Sequence, residues 1–223
     1  MLRLHLGEAV LVFDGQGREG TASIKEVDEG GRLVLEVLSS NEVERESSLS
    51  VHLVQGLAKA HKMEWVLQKA TELGARDVGV LLCQRSVPGG RELTGTSRWS
   101  RWRRILEEAS RQSGRSQVPE LRGPWGLEEF LGVVPPQALR LVMWEGARGK
   151  GLREALSPLQ EPPREAWLVV GPEGGLEPWE VDRMVQAGFI QVGLGPRVLR
   201  TETAGPAVLA ILQFLYGDLG GSE

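Results

Sequence analysis

The sequence has very few of the residues that mark secreted, membrane-anchored or metal-binding proteins. It contains one cysteine, Cys83, in an apolar run, which excludes a disulfide within the chain. No stretch approaches a membrane span or a secretory signal. His5 and His52 have no metal-like or catalytic neighbours in the sequence, so both are expected to be structural. We therefore expect a cytoplasmic protein that uses neither a membrane anchor nor a bound metal.

A uniformly positive charge is also missing. The formal net charge is -4, which argues against a protein that is basic over its whole surface. Residues 82–123 nevertheless hold nine arginines against four glutamates, which leaves -9 for the rest of the chain. One basic surface on an acidic protein suits contact with a phosphate backbone. The alternative is an ordinary solvated helix face.

Neither common glycine motif for nucleotide binding is present. The segment GPEGGL at residues 171–176 lacks the spacing G-x-G-x-x-G, and G-x-x-x-x-G-K-[ST] does not occur. Tight turns alone would account for Gly174, Gly175 and Gly195. Tight turns would not explain why charged residues lie beside both glycine loops, namely Glu173, Arg197, Arg200 and Glu202. A ligand site is therefore the favoured interpretation.

The pattern around these glycines predicts two strands of a parallel sheet. Trp167–Val170 is a short apolar run that ends at a glycine loop, and Phe189–Leu194 is a second run that ends at Gly195. Leu139–Trp144 is a further buried strand, followed by Glu145. The carboxyl ends of such strands meet at one edge of the sheet, where open α/β folds bind ligands.

Helix signals follow both glycine loops. Pro178 suits a first turn, Val181, Met184 and Val185 form an apolar side, and Gly188 ends that helix. The last helix begins near Arg200–Thr203, with Thr203 as the predicted N-cap. Upstream, Trp99, Trp102, Ile105, Leu106 and Ala109 share one face of a helix over residues 97–113. These aromatic residues are predicted to lie in the core, with base stacking as the alternative.

Four segments resemble the RsmE family, bacterial methyltransferases of the SPOUT (trefoil-knotted) superfamily. They are GPEGG, LGPRVLRTETA at 194–204, KMEWVLQKATELGARDVGVLLCQRS at 62–86 and EEASRQSGRSQVPE at 107–120. The resemblance covers most of residues 60–216. It implies methylation of N3 of a uridine in 16S rRNA of the small ribosomal subunit, with S-adenosyl-L-methionine (SAM) as cofactor. A 2′-O-ribose methyltransferase of the same superfamily and a non-catalytic rRNA-binding assembly factor remain as alternatives.

The resemblance also implies an α/β protein of two domains. Residues 1–58 would be a PUA-like, RNA-binding β-barrel, and residues 59–223 a SPOUT α/β-knot domain with a parallel sheet. Short strands separated by turn signals over residues 1–54 agree with the barrel. Ten acidic against five basic side chains in those residues oppose an RNA contact there.

The same resemblance assigns the site residues. Three loops would hold SAM, through residues Met143, Glu145, Val170, Gly171, Glu173, Gly174, Gly175, Leu194, Gly195, Val198, Leu199 and Thr203. Glu145 has the alternative of a solvated loop carboxylate. Arg200 would stabilise the uracil anion, and Glu202 would either accept the N3 proton or orient Arg200. Gln112 and Arg115 would contact RNA, with an ordinary helix end as the alternative. Positive charge, and not the resemblance, predicts further RNA contacts at Lys62, Lys69, Arg85, Arg101, Arg104 and Arg111, with solvated side chains as the alternative.

The final helix predicts a homodimer. Residues 206–216 carry six large apolar side chains, more than one helix stripe needs. Enzymes of the resembled superfamily pair through helices beside the knot. The alternative is a helix packed between the sheet and another helix of its own chain.

Overall fold

The computed structural model describes residues 5–28, 32–43, 45–90, 92–146 and 151–221. The chain divides into two compact units. The first unit comprises Met1–Glu46 and Ser110–Val118, and the second comprises Ser47–Ala109 and Pro119–Glu223.

The first unit contains an antiparallel sheet of four strands. They are β1 (Ala9–Phe13), β2 (Arg18–Val27), β3 (Leu33–Val37) and β4 (Asn41–Glu42). β2 is central and pairs with each of the other three. Its side chains alternate, with Ala22 and Ile24 fully buried, as expected for a strand with one face on a core. This sheet occupies the region in which the sequence predicted a β-barrel.

The second unit is a parallel sheet with helices, and its elements follow in chain order. They are β5 (Ser50–Gly56), α1 (Ala60–Glu72), β6 (Ala75–Leu81), α2 (Ser97–Ser113), β7 (Glu120–Trp125), α3 (Leu127–Val133), β8 (Leu139–Met143), α4 (Leu152–Leu156), β9 (Glu165–Val170), α5 (Pro178–Gln186), β10 (Ile190–Val192) and α6 (Thr201–Tyr216). The last residues of α2, from Ser110, are grouped with the first unit.

All six strands of this sheet run parallel, in the order β10-β8-β9-β5-β6-β7. β5 lies within the range 1–58 that the sequence assigned to the barrel, yet it is paired with β6 and β9 at the centre of this sheet. β9 lies more than a hundred residues away in sequence, so no local pattern could reveal that pairing. The α/β fold with a parallel sheet is confirmed.

Apolar side chains cover the sheet. Phe130 of α3 is fully buried and packs within 6.0 Å of the rings of Trp125, Trp167 and Phe189, measured between centroids. On α2, Trp99, Trp102, Leu106 and Ala109 are buried, which confirms that its aromatic face belongs to the core. Ile105, predicted on the same face, is partly exposed.

Helix α5 begins where the sequence predicted, but one side chain expected on its apolar side is exposed. Pro178 is its first residue, and Glu177 and Glu180 form a capping box in which each side chain accepts from the backbone of the other. Val181 and Met184 are fully buried, whereas Val185 is 40% exposed. Placing Val185 on the apolar side was therefore wrong, since the buried residues of α5 are Glu180, Val181 and Met184.

Helix α6 starts two residues earlier than Thr203. Its N-cap is Arg200, and the backbone N–H groups of Thr203 and Ala204 already donate to the Arg200 carbonyl. Thr203 as N-cap was therefore wrong. Pro206 accordingly lies inside the helix, beyond the first turn. Gly205 allows close packing on the sheet, since an added Cβ would lie 3.0 Å from the Leu53 side chain.

Candidate active site

A cavity of about 570 Å³ lies at the carboxyl ends of β8, β9 and β10 in the second unit. The loops that follow these three strands supply most of its wall. The lining includes eleven of the twelve residues predicted to hold a cofactor, namely Met143, Glu145, Val170, Gly171, Glu173, Gly174, Gly175, Leu194, Gly195, Val198 and Leu199. The volume lies within the range of about 300–1,000 Å³ that is usual for small-molecule sites.

Thr203 is the one predicted cofactor residue that does not line the cavity. Because α6 begins at Thr201, Thr203 lies in its first turn with an exposed side chain. Thr201 and Ala204 line the cavity instead. The sequence correctly predicted that residues 200–203 lie at the start of the last helix. It did not predict which of their side chains face the cavity.

The glycine loop after β9 is a tight turn. The Gly175 N–H donates to the Pro172 carbonyl over 2.9 Å, and Gly175 has a φ of +75°, in the left-handed region that favours glycine. Gly174 is different, because its φ is not positive and an added Cβ would lie 3.0 Å from the Arg85 side chain. The conformational requirement for glycine in this turn therefore rests on Gly175.

Arg85 holds this loop. Its Nη1 donates to the Gly174 carbonyl over 2.8 Å and its Nε donates to the Glu177 carboxylate over 2.8 Å. The sequence predicted Arg85 as an RNA contact. In the structure, its guanidinium bridges the glycine loop and the start of α5, and the RNA contact stays a prediction.

A lysine from α1 joins two carboxylates at the cavity. Lys62 Nζ lies 3.0 Å from Glu202 Oε2 and 3.8 Å from Glu173 Oε1. Glu173 also accepts the backbone N–H of Lys59 over 3.1 Å, at the N-terminus of α1. The sequence placed Lys62 among the RNA contacts, yet the structure places it in the cavity wall. Its remoteness in sequence from the glycine loops concealed this position.

Glu202 is a partly exposed carboxylate whose pKa is lowered. Desolvation raises its pKa, but a hydrogen bond from its own backbone N–H and the nearby charges of Lys62 and Arg200 more than offset that effect. The pKa therefore lies below its ordinary value of 4.5. Arg200 Nη1 lies 4.0 Å from Glu202 Oε1, and the Arg200 side chain is 83% exposed. The pair thus consists of an ionised carboxylate in the protein and a cation that extends into solvent beside the cavity.

A hydrogen-bonded group that the sequence did not reveal lies beneath Arg200 and Glu202. The buried side chain of Gln55 donates to the Thr201 hydroxyl, and that hydroxyl donates to the Gly171 carbonyl. Gln55 and Thr201 are separated by 146 positions. Gln55 carries no local signal of function, whereas Thr201 lies within the segment LGPRVLRTETA.

Most other predicted RNA contacts lie on the surface, and several are paired with carboxylates. Lys69 pairs with Glu72, Arg101 with Glu64, and Arg115 with Glu46. Arg104, Arg111 and Gln112 are exposed on α2.

His52 lies in a buried structural network on β5. Its Nδ1 is 2.7 Å from Asp77 Oδ2, and its ring stacks on Trp167 with centroids 4.3 Å apart. Arg122 donates to the same Asp77 oxygen over 3.2 Å. None of these residues lines the cavity, which agrees with the structural role predicted for His52.

Among the described residues, no helix is long and apolar enough to cross a membrane. Within the same residues, no three His, Cys, Asp or Glu side chains are grouped so as to hold a metal ion.

The chain is similar to known rRNA methyltransferases over almost its full length. The model of the RNA methyltransferase domain family matches residues 45–213. Ribosomal RNA small subunit methyltransferase E of Bacillus subtilis (strain 168) is 32% identical, over 100% of this chain and 88% of that protein. The enzyme of the same name from Mycobacterium tuberculosis is 31% identical, over 96% of this chain and 80% of that protein.

Solved structures give the same result. Ribosomal RNA small subunit methyltransferase E from Neisseria gonorrhoeae, bound to SAM, superposes with a TM-score of 0.84 at 32% identity, covering 97% of this chain and 86% of that one. A Legionella pneumophila protein solved with the bound cofactor SAM gives 0.87 at 37% identity, covering 97% and 87%. The chain therefore belongs to the RsmE family of ribosomal RNA small subunit methyltransferases, within the SPOUT (trefoil-knotted) superfamily.

Proposed function

We propose that this chain transfers a methyl group from SAM to N3 of a uridine in the 16S rRNA of the small ribosomal subunit. The observation that carries the proposal is the cavity at the carboxyl ends of β8, β9 and β10. Arg200 and Lys62 lie in its wall, and Glu202 is paired with both. Family membership supports SAM-dependent methylation of small-subunit rRNA. The choice of N3 as target atom rests on the resemblance of LGPRVLRTETA and on the position of Arg200, whose charge can stabilise a uracil anion.

The cavity residues suit SAM. Backbone groups of the glycine loops and apolar side chains such as Val170, Leu194 and Leu199 offer a surface for an adenosine. The carboxylates of Glu145 and Glu173 lie in the same wall, and their negative charge suits a sulfonium. When bound, SAM supplies an electrophilic methyl group on a positively charged sulfur.

The residues around the cavity would activate N3 of the base. N3 must lose its proton before its lone pair can form the new bond to the methyl carbon, while the carbon–sulfur bond breaks. The exposed guanidinium of Arg200 would stabilise the resulting uracil anion. Most of the remaining catalysis is positioning, because the two reacting atoms must be held in line.

The lowered pKa of Glu202 favours an orienting role for this carboxylate. A carboxylate with a pKa below 4.5 is a weak base and a poor acceptor for a proton from uracil. It is, however, a good partner for two cations. We propose that Glu202 holds Lys62 and Arg200 in place and that the N3 proton leaves to water.

We further propose that the working unit is a homodimer that binds RNA through α2. On α6, Ile211 is 39% exposed, Phe214 63% and Leu215 49%, so one apolar side of this helix is not covered by its own chain. A second copy would cover it. The arginines Arg101, Arg104 and Arg111 would contact phosphates, together with Gln112 and Arg115 near the end of α2 and Lys69 of α1.

One experiment tests the enzymatic proposal. The protein is incubated with labelled SAM and small subunits that lack the modification, and the labelled nucleoside is identified by mass analysis. We expect 3-methyluridine. A 2′-O-methylated nucleoside would assign the chain to ribose methylation instead. Binding of rRNA without SAM binding or label transfer would indicate an assembly factor.

A further inference from the structure

A buried glutamine connects three parts of the second unit beside the cavity. Gln55, the penultimate residue of β5, has no exposed surface. Its Nε2 lies 2.8 Å from Thr201 Oγ1, 3.0 Å from the Gly171 carbonyl oxygen and 3.1 Å from the Gly56 carbonyl oxygen. The end of β5, the loop after β9 and the first residue of α6 therefore meet at one amide group.

The partners fix the orientation of this amide. Turning it over would place Oε1 against the carbonyl oxygens of Gly56 and Gly171, which offer no proton. In the observed orientation Oε1 is buried and has no hydrogen-bond partner among the described residues. A buried acceptor without a partner lowers the stability of the fold. In this orientation the Nε2 group donates to the loop after β9 and to α6, while Oε1 makes no hydrogen bond.

We propose that Gln55 is a positioning residue for methyl transfer, which holds the cofactor loop in register with Arg200 and Glu202. This inference rests on the proposed function. Thr201 stands between Arg200 and Glu202 in the chain, and Gly171 lines the cavity. The Gln55 amide and the Thr201 hydroxyl therefore fix the distance between the groups that bind the methyl donor and those that act on the base. Turnover depends steeply on that distance, since a misplacement of about 1 Å costs on the order of 100-fold.

Two substitutions of Gln55 distinguish the effect of its N–H donors from the effect of its side-chain shape. Gln55→Leu keeps the volume and removes both N–H groups. Gln55→Glu keeps the shape but sets an oxygen against two carbonyl oxygens unless the new carboxyl is protonated. We expect kcat to fall on the order of 10- to 100-fold in both variants. In Gln55→Glu, the loss should shrink as the pH is lowered and the carboxyl becomes a donor. Such a pH-dependent recovery would not follow from a change in packing.

Gln213 provides a matched control at the other end of α6. It is also a fully buried glutamine, and it donates to the Gly74 carbonyl over 3.0 Å and accepts from Ser47 over 2.6 Å, but it does not line the cavity. Gln213→Leu should lower the melting temperature about as much as Gln55→Leu. Its kcat should stay within about twofold of the wild type, because the first turn of α6 is untouched.

Thr201→Val provides the coupling test. It removes the hydroxyl that Gln55 holds, so the double variant Gln55→Leu/Thr201→Val should be no slower than the slower single variant. Equal losses of kcat in the Gln55 and Gln213 variants would overturn the proposal, as would fully multiplicative effects in the double variant.

The readouts keep this inference distinct from the proposed function. Turnover is counted as label transferred to small subunits, whichever atom receives it, so a product other than 3-methyluridine refutes only the N3 assignment. If the wild type transfers no label, the proposed function fails. In that case, hydrogen exchange of backbone amides tests whether Gln55 holds the first turn of α6. Faster exchange of the Thr203 and Ala204 amides in Gln55→Leu, and not in Gln213→Leu, supports the connection, and unchanged exchange overturns it.

Discussion

Gly175 shows how one residue shapes the cavity. Its φ of +75° lies in a region that costs a residue with a Cβ about 1–2 kcal/mol. In Gly175→Ala the turn should move away from its place in the cavity wall and weaken SAM binding by roughly 5- to 30-fold. Calorimetric titration measures this effect.

Gly174→Ala is the matched control for this loop. The φ of Gly174 is ordinary, and the new Cβ would lie 3.0 Å from the Cβ of Arg85, a close contact that a shift of a few tenths of an ångström would relieve. We expect its affinity for SAM to change less than that of Gly175→Ala. Equal affinities in the two variants would show that the turn at Gly175 does not shape the site.

Glu202 gives a dependence of stability on pH. Because its folded pKa is below the ordinary 4.5, its stabilising effect is present above that pH and is lost as the pH falls through the folded pKa. Glu202→Gln should therefore melt below the wild type at pH 7, and the difference should narrow toward pH 4. Thermal melts at the two pH values test this. A constant difference would mean that Glu202 stabilises through packing and not through its charge.

Among the elements, α2 carries the RNA-binding prediction. Replacing Arg101, Arg104 and Arg111 by Gln should weaken binding to rRNA and flatten the plot of log affinity against log salt, by roughly 0.7–0.9 for each phosphate contact that is lost. Fluorescence anisotropy at several salt concentrations measures the slope. Arg183→Gln on α5 is the control, since Arg183 is paired with Glu128 on another part of the surface. If the triple variant has the same slope as the wild type, these arginines do not contact phosphates and only form a solvated face of α2.

The elements also show what sequence can predict. Strand β9 and helix α5 were predicted closely because an apolar run, Gly171-Pro172 and Pro178 are signals between neighbours in the chain. The position of β5 was not, because parallel pairing joins segments more than a hundred residues apart. The same limit hid Gln55 and the carboxylate partners of Lys62. The start of α6 was displaced because threonine is a common N-cap, whereas Arg200 caps this helix without a side-chain hydrogen bond.

At the scale of the whole molecule, the exposed side of α6 predicts a dimer. Phe214 is 63% exposed, so Phe214→Glu should leave the fold intact and shift the protein toward monomers in light scattering. Trp179→Glu is the control, because Trp179 is 55% exposed but lies on α5. A wild type that is monomeric at working concentration would contradict the prediction.

Mixing two inactive variants tests whether RNA sites are shared between subunits. If they are, Arg200→Ala and the double variant Arg101→Gln/Arg104→Gln should regain activity after exchange of subunits, since one kind of site then holds every wild-type residue. Proven exchange without recovered activity would mean that each subunit works alone.

The single cysteine has a practical consequence. Cys83 is buried, and burial, assisted by the charge of Glu180, raises its pKa to about 12, so almost none of it is the reactive thiolate at neutral pH. A cysteine introduced at Val198, which is 77% exposed and borders the cavity, would then react with a maleimide dye while the native thiol does not. The natural sequence can thus carry one fluorophore at the rim of its own cavity, and ligand binding can be followed by fluorescence without first removing a cysteine.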